Sequence, residues 1–288
     1  MMELSEIRVQ IDQVDRQIRS LFEERMKLAD QVACIKAETE DTIYKPDREA
    51  GIIRKQTEGI EPAILREYTA LIKRIMEISR KYQYGRTIEL RDCFPYDYKS
   101  ELPSLRKAAM VKEELYACCQ FSRDLVKTVD TFDQVGEAVL TGQVDAGIGI
   151  LEEVGVGVSD ELHNMLLQKG LYIIQCDILH DGDSRRKVVT FVRDLVVLPE
   201  HNRIRIMFVC PNRYGSLASI LSMISDYGVN LTEIHSRPFY DEDSWNYCFF
   251  AELEACMEQP EIKALIYQLS QETEAMQILG SYSCQGDF

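Results

Sequence analysis

The 288-residue chain has little tryptophan (one), little proline (eight) and little histidine (four), and it has no excess of basic charge: 33 Lys and Arg stand against 48 Asp and Glu, a formal net charge of −15. Without a basic stripe there is nothing to neutralise a run of phosphates, which argues against a nucleic-acid partner. No stretch approaches the roughly 18 consecutive apolar residues of a membrane-spanning helix, and the opening Met-Met-Glu-Leu-Ser-Glu lacks the basic and apolar regions of a secretion signal. The expectation is a cytoplasmic protein with no membrane partner. The nine cysteines are scattered without any Cys-x-x-Cys, and their odd number favours free thiols in a reducing compartment; the adjacent Cys118-Cys119 reads as packing. His163, His180, His201 and His235 have no ligand-like spacing, so no metal site is expected.

What is present is a set of cationic and polar residues over the first 83 positions, on three expected helices: Arg8, Arg25, Lys36, Arg48, Glu49, Ser79 and Gln83. Ile7, Ile11, Val14, Ile18, Leu21, Phe22, Leu28, Val32 and Ile35 recur near every 3.5 residues, which predicts one long amphipathic helix in need of a partner. Arg25 and Lys36 lie about three turns apart on one face, with roughly 16 Å of rise between them, so two long side chains can close on one small ligand. Arg8 stands roughly 25 Å before Arg25 and about a quarter turn off that face. No Gly or Pro interrupts the segment, so Arg8 reaches such a pocket only from a second chain. A second helix is expected from Lys45-Pro46-Asp47-Arg48-Glu49, ended by Gly59. Pro62 opens a third, with Ile64, Leu65, Leu71, Ile72, Ile75, Met76 and Ile78 toward a core and Ser79 and Gln83 on one face. Any one of these charges alone is ordinarily a solvated helix face. Together they read as the lining of a pocket for a small dianion. Residues 1–86 hold 16 Lys and Arg against 16 Asp and Glu, so the rest of the chain carries the whole negative charge.

The elements Ile-Arg8, Glu-Glu-Arg25, Ile-Lys36, Arg48-Glu49 and Ser79-x-x-x-Gln83 resemble, in order and spacing, the all-α chorismate mutase family, whose dimers are intertwined three-helix protomers. The resemblance implies that these seven residues are catalytic and that chorismate is rearranged to prephenate. That reaction is a unimolecular pericyclic shift, so no cofactor is expected. The site has to hold a dicarboxylate in its compact conformer and stabilise charge on the ether oxygen as the C–O bond breaks. Arg8 and Arg25 suit carboxylates, Lys36 and Gln83 are natural donors to the ether oxygen, and Glu49 is an acceptor for the ring hydroxyl. One departure is Lys45, where the family commonly has Asp.

Toward the other end, strands are expected at Ile204 to Val209, Val229 to Ser236, Trp245 to Leu253 and Ala275 to Tyr282, with helices at Gly215 to Tyr227 and Pro260 to Thr273. The order βαββαβ is a ferredoxin-like unit. Gly215-Ser216-Leu217-Ala218, Asn230-Leu231-Thr232 and His235-Ser236-Arg237-Pro238 resemble the ACT regulatory domain of prephenate dehydratases, with His235 where that family has Glu. The resemblance implies an aromatic amino-acid effector, phenylalanine first, bound between two such domains. A Gly at a helix start lets backbone N–H groups approach the effector's carboxylate. His235 in place of an acid implies binding that varies between about pH 6 and 8.

Between these modules, Phe132 to Ile150 reads as helix then strand, and Thr131 through Ile150 resembles the prephenate dehydratase domain just before its active-site Pro-Ile-Glu-Asn-Ser. Here that motif is Ile150-Leu151-Glu152-Glu153-Val154, without Asn or Ser, and the family's Thr-Arg-Phe appears as Val189-Thr190-Phe191, without Arg. The expected loss of a second lobe falls at His180 to Arg186. The fold class is therefore multidomain: an all-α three-helix chorismate mutase domain at 1–86, a one-lobed dehydratase-like α/β remnant at 87–200 serving as spacer or scaffold between catalysis and regulation, and a ferredoxin-like ACT domain at 201–288. The leading reading is a homodimeric or larger chorismate mutase with an amino-acid sensor. The alternatives are a bifunctional chorismate mutase/prephenate dehydratase, and a non-catalytic sensor that regulates a partner enzyme.

Overall fold

The computed structural model describes residues 3–111, 121–181, 184–241 and 244–284, so Cys118-Cys119 lies outside the described residues. Contacts group the chain into two compact units, Met1–Cys93 and Phe94–Phe288.

In the first unit, α1 (Leu4–Thr39) begins at a capping box in which Glu3 and Glu6 satisfy each other's backbone N–H, and it ends at Glu40 in a left-handed conformation. Pro46 opens α2 (Pro46–Thr57), and α3 (Leu65–Leu90) runs on past Gln83. Ala29 and Ala33 are the buried residues of α1, small enough to let α3 approach, and α3 contributes buried Met76, Ser79, Arg80, Gln83, Tyr84 and Thr87. Asp30 of α1 accepts from Arg86 at 3.1 Å and from Tyr82 at 3.1 Å. Among the described residues nothing covers the apolar stripe of α1: Ile7, Ile11, Val14, Ile18, Leu21, Leu28 and Ile35 are between 42% and 65% exposed. Ile64, Leu65 and Leu71 of α3, expected toward a core, are likewise exposed. α1 spans about 54 Å, more than α2 and α3 can match, and the side it turns to α3 is that of Ala29 and Ala33.

The second unit is built on one mixed sheet. Its strands are β1 (Ala108–Met110), β2 (Val126–Thr128), β3 (Ala146–Glu153), β4 (Gly157–Val158), β5 (Tyr172–Asp181), β6 (Ser184–Val192), β7 (Arg203–Cys210), β8 (Asn230–Asp241), β9 (Ser244–Glu254) and β10 (Ala275–Cys284). The strand order is β2-β1-β3-β6-β5-β10-β7-β9-β8, with β4 on the end of β3. Helices α4 (Phe132–Leu140) and α5 (Asp160–Lys169) belong to the middle region, and α6 (Ser216–Asp226) and α7 (Pro260–Glu272) complete the C-terminal βαββαβ order. Each helix and strand expected from sequence in that last stretch is present within a few residues of its expected ends.

The expected boundary at residue 200 is where the structure departs from a chain of separate modules. β10 pairs antiparallel with β7 and parallel with β5, so the sheet of the middle region and that of the C-terminal unit are continuous. Gly280 permits this seam: a Cβ there would lie 2.3 Å from the carbonyl oxygen of Ile173 on β5. β5 and β6 form a hairpin paired out to Asp181 and Ser184, at the place where the second lobe was expected to be missing. On one face, α6 and α7 cover Ile204, Ile206 and Phe208. On the other, α4 and α5 pack with Met207, Val209 and Phe250. β7 thus alternates between two cores, as a strand covered on both faces must.

Candidate functional site

Six of the seven residues singled out in the first unit line one cavity of about 230 Å³: Arg25, Lys36, Arg48, Glu49, Ser79 and Gln83. Leu28, Val32, Ile43, Ile52 and Met76 form its apolar wall. The spacing explains the convergence. Arg25 and Lys36 share a face of α1, and Ser79 and Gln83 share a face of α3 one turn apart. Arg25 donates to the Ser79 hydroxyl, so the two helices fix its guanidinium jointly. Lys36 Nζ donates to the Ile43 carbonyl at 2.9 Å. Gln83 Nε2 donates to the Ser79 carbonyl at 3.2 Å, while its buried Oε1 has no hydrogen-bond partner. Burial lowers the pKa of Arg25, opposed by Glu49. Burial also lowers that of Lys36, helped by Lys45 and opposed by Asp41. Lys45, which pairs with Asp41, is part of the lining and adds a cation where the resembled family has an acid. Arg8 is not among the lining residues, as the helical arithmetic requires of a single chain.

Sequence reasoning missed Arg80. It is 7% exposed, and one of its nitrogens donates to both carboxylate oxygens of Glu49, at 2.7 and 2.6 Å, with its guanidinium 4.9 Å from the centre of the Tyr44 ring. On a helix the residue after Ser79 points about 100° away, and here α2 lies on that side.

In the C-terminal region Gly215, at φ +82°, caps the start of α6, followed by Ser216, Leu217 and Ala218 in the first turn. The register places Cys210, Tyr247 and Pro238 in one row, so the loop into α6 leaves the same end of the sheet as Arg237 and Pro238, two strands away. Asn230 sits at the opposite end of β8, level with Glu254, and donates to it at 3.0 Å, while Leu231 packs against the core. An 11-residue helix, roughly 16 Å long, separates Gly215 from Asn230. Within one chain, therefore, the expected effector residues form two groups at opposite ends of the sheet. Ser236 is exposed.

His235, expected at the effector, instead faces α5. Its ring stacks on Phe250 with centroids 5.0 Å apart, meets His163 edge-on at 5.3 Å and lies 3.2 Å from Glu233. Arg237 lies over Phe250 at 4.7 Å, pairs with Asp160 and donates to Asn164 at 3.3 Å. Beneath them is a buried network that the sequence reading did not foresee. Fully buried Arg205 donates to Glu233 at 2.7 Å and 3.2 Å, and its Nε donates to His163 Nε2 at 3.0 Å. Lys187 of β6 donates to Glu233 at 2.9 Å, and Tyr282 to Glu252 at 2.6 Å. Burial pushes the His163 pKa down to about 2, helped by Arg205. Burial raises that of Glu233, but His235, Arg205 and Lys187 outweigh it and hold the carboxyl far below its ordinary range. The clue was Arg205 between Ile204 and Ile206 in a central strand, where a charge survives only if paired.

Residues 7–84 match the family model of chorismate mutase type II, and residues 204–271 match that of the ACT domain. The chain carries a type II chorismate mutase domain. Over 98% of its length, and 98% of the relative's, it is 23% identical to a bifunctional chorismate mutase/prephenate dehydratase of Aquifex aeolicus. That alignment runs to 364 positions, longer than the 288-residue chain, so stretches of the relative have no counterpart here. Among solved structures, a prephenate dehydratase from Streptococcus mutans aligns over 62% of this chain and 98% of its own, with TM-score 0.52 and 22% identity. A prephenate dehydratase in complex with L-Phe from Arthrobacter aurescens aligns over 62% and 90%, with TM-score 0.50 and 12% identity. At these identities the likeness is one of fold.

Behind the chorismate mutase domain, then, stands a dehydratase-like α/β region whose own motif positions are occupied by other chemistry. Glu153 is bound by Arg186 at 3.0 Å, Glu152 lies 3.5 Å from Lys187, and Thr190 is buried in β6 between β3 and β5. Among the described residues no helix is long and apolar enough to cross a membrane, and no group of three or more His, Cys, Asp and Glu is placed to hold a metal ion.

Proposed function

We propose that this protein is a chorismate mutase of aromatic amino-acid biosynthesis, converting chorismate to prephenate at a site completed across a cytoplasmic homodimer and controlled by an aromatic amino acid. The observation that carries the reading is the convergence of Arg25, Lys36, Arg48, Gln83 and Ser79 on one small, partly apolar cavity of the chorismate mutase type II domain. Planar guanidinium forks bind the two carboxylates and select the compact conformer of the substrate. Lys36 and Gln83 donate to the ether oxygen as it gains charge, the Gln83 amide having a second N–H besides the one given to the Ser79 carbonyl. Glu49 accepts from the ring hydroxyl. Arg8 enters from a second copy, whose α1 also covers the apolar stripe left exposed on the first.

The effector is phenylalanine, held where two ACT domains meet. Support comes from Gly215 at the start of α6, at the same end of the sheet as Arg237, and from the placement of Asn230 at the far end of the sheet, which makes the two groups complementary across an interface rather than within a chain. The dehydratase named in the Aquifex relative is not part of the proposal, because the dehydratase-like region has neither the Asn nor the Ser of the resembled motif and its Glu residues are held in ion pairs. One paired assay tests the catalytic reading: chorismate loss and phenylpyruvate formation followed on the same purified protein. Chorismate should be consumed with prephenate accumulating. No chorismate loss overturns the mutase reading, and phenylpyruvate formed from prephenate at neutral pH, faster than with denatured protein, overturns the exclusion of dehydratase activity.

A further inference from the structure

The cavity proposed for a dianion contains one carboxylate in its lining, that of Glu49, and an uncompensated negative charge there would repel the ligand's own two. Arg80, which is itself one of the lining residues, is the group placed against it. Both oxygens of Glu49 are within 2.7 Å of Arg80 Nη1, the Arg80 side chain is 8% exposed and that of Glu49 21%. The guanidinium is fixed in turn by the Tyr44 ring below it. At such separation and burial the attraction is far stronger than for a surface pair. The pair also spans two helices, joining α3 to the first turn of α2, so it sets where the carboxylate points as well as its charge.

We infer that Arg80 is a positioning residue of the chorismate site: it cancels the charge of Glu49 toward a dianionic ligand and orients that carboxylate, without itself touching the reacting atoms. This rests on the proposed mutase reading and adds to it a residue outside the seven that the family resemblance supplied. Its neighbour Ser79 faces Arg25 on α1 while Arg80 faces Glu49 on α2, so two successive residues of α3 serve the two walls of one pocket.

The test is a cycle of four proteins, wild type, Arg80→Gln, Glu49→Gln and the double variant, with the Kd for prephenate measured by calorimetry and kcat/KM for chorismate measured beside it. Arg80→Gln should weaken prephenate binding at least about 10-fold, because it exposes a bare carboxylate to a dicarboxylate ligand. The same change made in the Glu49→Gln background should alter Kd by less than about 3-fold, because no charge is left to cancel. A residue needed only for packing would weaken binding equally in both backgrounds, and that result overturns the inference, as does an Arg80→Gln protein with wild-type Kd. If Arg80→Gln alone fails to fold, the comparison of Glu49→Gln with the double variant and of wild type with Arg80→Lys decides. The first pair should bind alike, Arg80→Lys should retain most of the affinity, and loss in both overturns the inference. Absence of chorismate loss in the wild type would instead overturn the mutase reading itself.

Discussion

Lowering the pH from 7 to 5 should destabilise the Phe94–Phe288 unit chiefly through His163, with His201, whose pKa burial also lowers, adding a loss of the same sign. His163 is wholly buried, its Nδ1 lies 2.8 Å from the Ser159 carbonyl and its Nε2 accepts from Arg205, so both nitrogens are committed as a neutral ring. Its pKa is held at about 2 against 6.5 in the unfolded chain, so between these values the unfolded state binds the extra proton and stability falls as pH falls. Integrating that difference at pH 5 gives about 2 kcal/mol lost relative to pH 7, or roughly 4–8 °C in midpoint for a unit of this size. Glu233, with its pKa lowered by its partners, adds a loss of the same sign only below the ordinary glutamate value of 4.5. Thermal unfolding followed by calorimetry and by the fluorescence of Trp245, the one tryptophan, which lies on β9, measures this. His163→Gln keeps an acceptor for Arg205 and has no imidazole, so its midpoint should drop by much less over the same pH interval. Equal drops in the two proteins, or none in the wild type, would refute the assignment of the acid sensitivity to His163.

Other outcomes follow from the same geometry. Because burial and Lys45 lower the Lys36 pKa, mutase activity should fall on the alkaline side below the ordinary lysine value of 10.5, and Lys45→Asp should move that limb upward in a pH profile of kcat/KM. Lys36→Ala should lower kcat by about 10²–10³, the usual loss of one transition-state donor, in an assay of chorismate consumption. Gly280→Ala meets the Ile173 backbone rather than a movable side chain, so denaturant unfolding should show a loss of about 1–3 kcal/mol or more. Calorimetry should detect phenylalanine binding, and a coupling of about 1–3 kcal/mol would change chorismate affinity roughly 5- to 150-fold; no binding of phenylalanine, tyrosine or tryptophan at millimolar concentration would remove the sensor from the account.

The first unit was legible because a helix converts residue spacing directly into a shared face. Arg25 with Lys36, and Ser79 with Gln83, needed only the helical repeat to be placed in one cavity, and the same arithmetic kept Arg8 out of it. Arg80 was overlooked because a cation next to a recognised serine reads as a solvated face until α2 is known to lie against it. In the second unit, alternation and turn residues located each C-terminal strand. The pairing of β10 with β5 was not legible, since it joins residues about 100 positions apart and depends on the missing side chain of Gly280. That seam is why the middle region, expected as a spacer or scaffold, shares a sheet and a buried charge network with the ACT region. For the same reason His235 could be recognised as a departure, but its turn toward α5 could not be foreseen.

Subunit complementation tests the central claim most directly. Arg8→Ala and Lys36→Ala proteins should each be impaired, since each lacks one group of every site. Mixed under conditions of verified subunit exchange, they should regain activity, because a mixed dimer places wild-type Arg8 and wild-type Lys36 in one of its two pockets. With equal amounts and random exchange about half of the dimers are mixed, so about a quarter of wild-type sites return. Activity that stays at the level of the separate variants, with exchange demonstrated, would contradict a site shared between two chains.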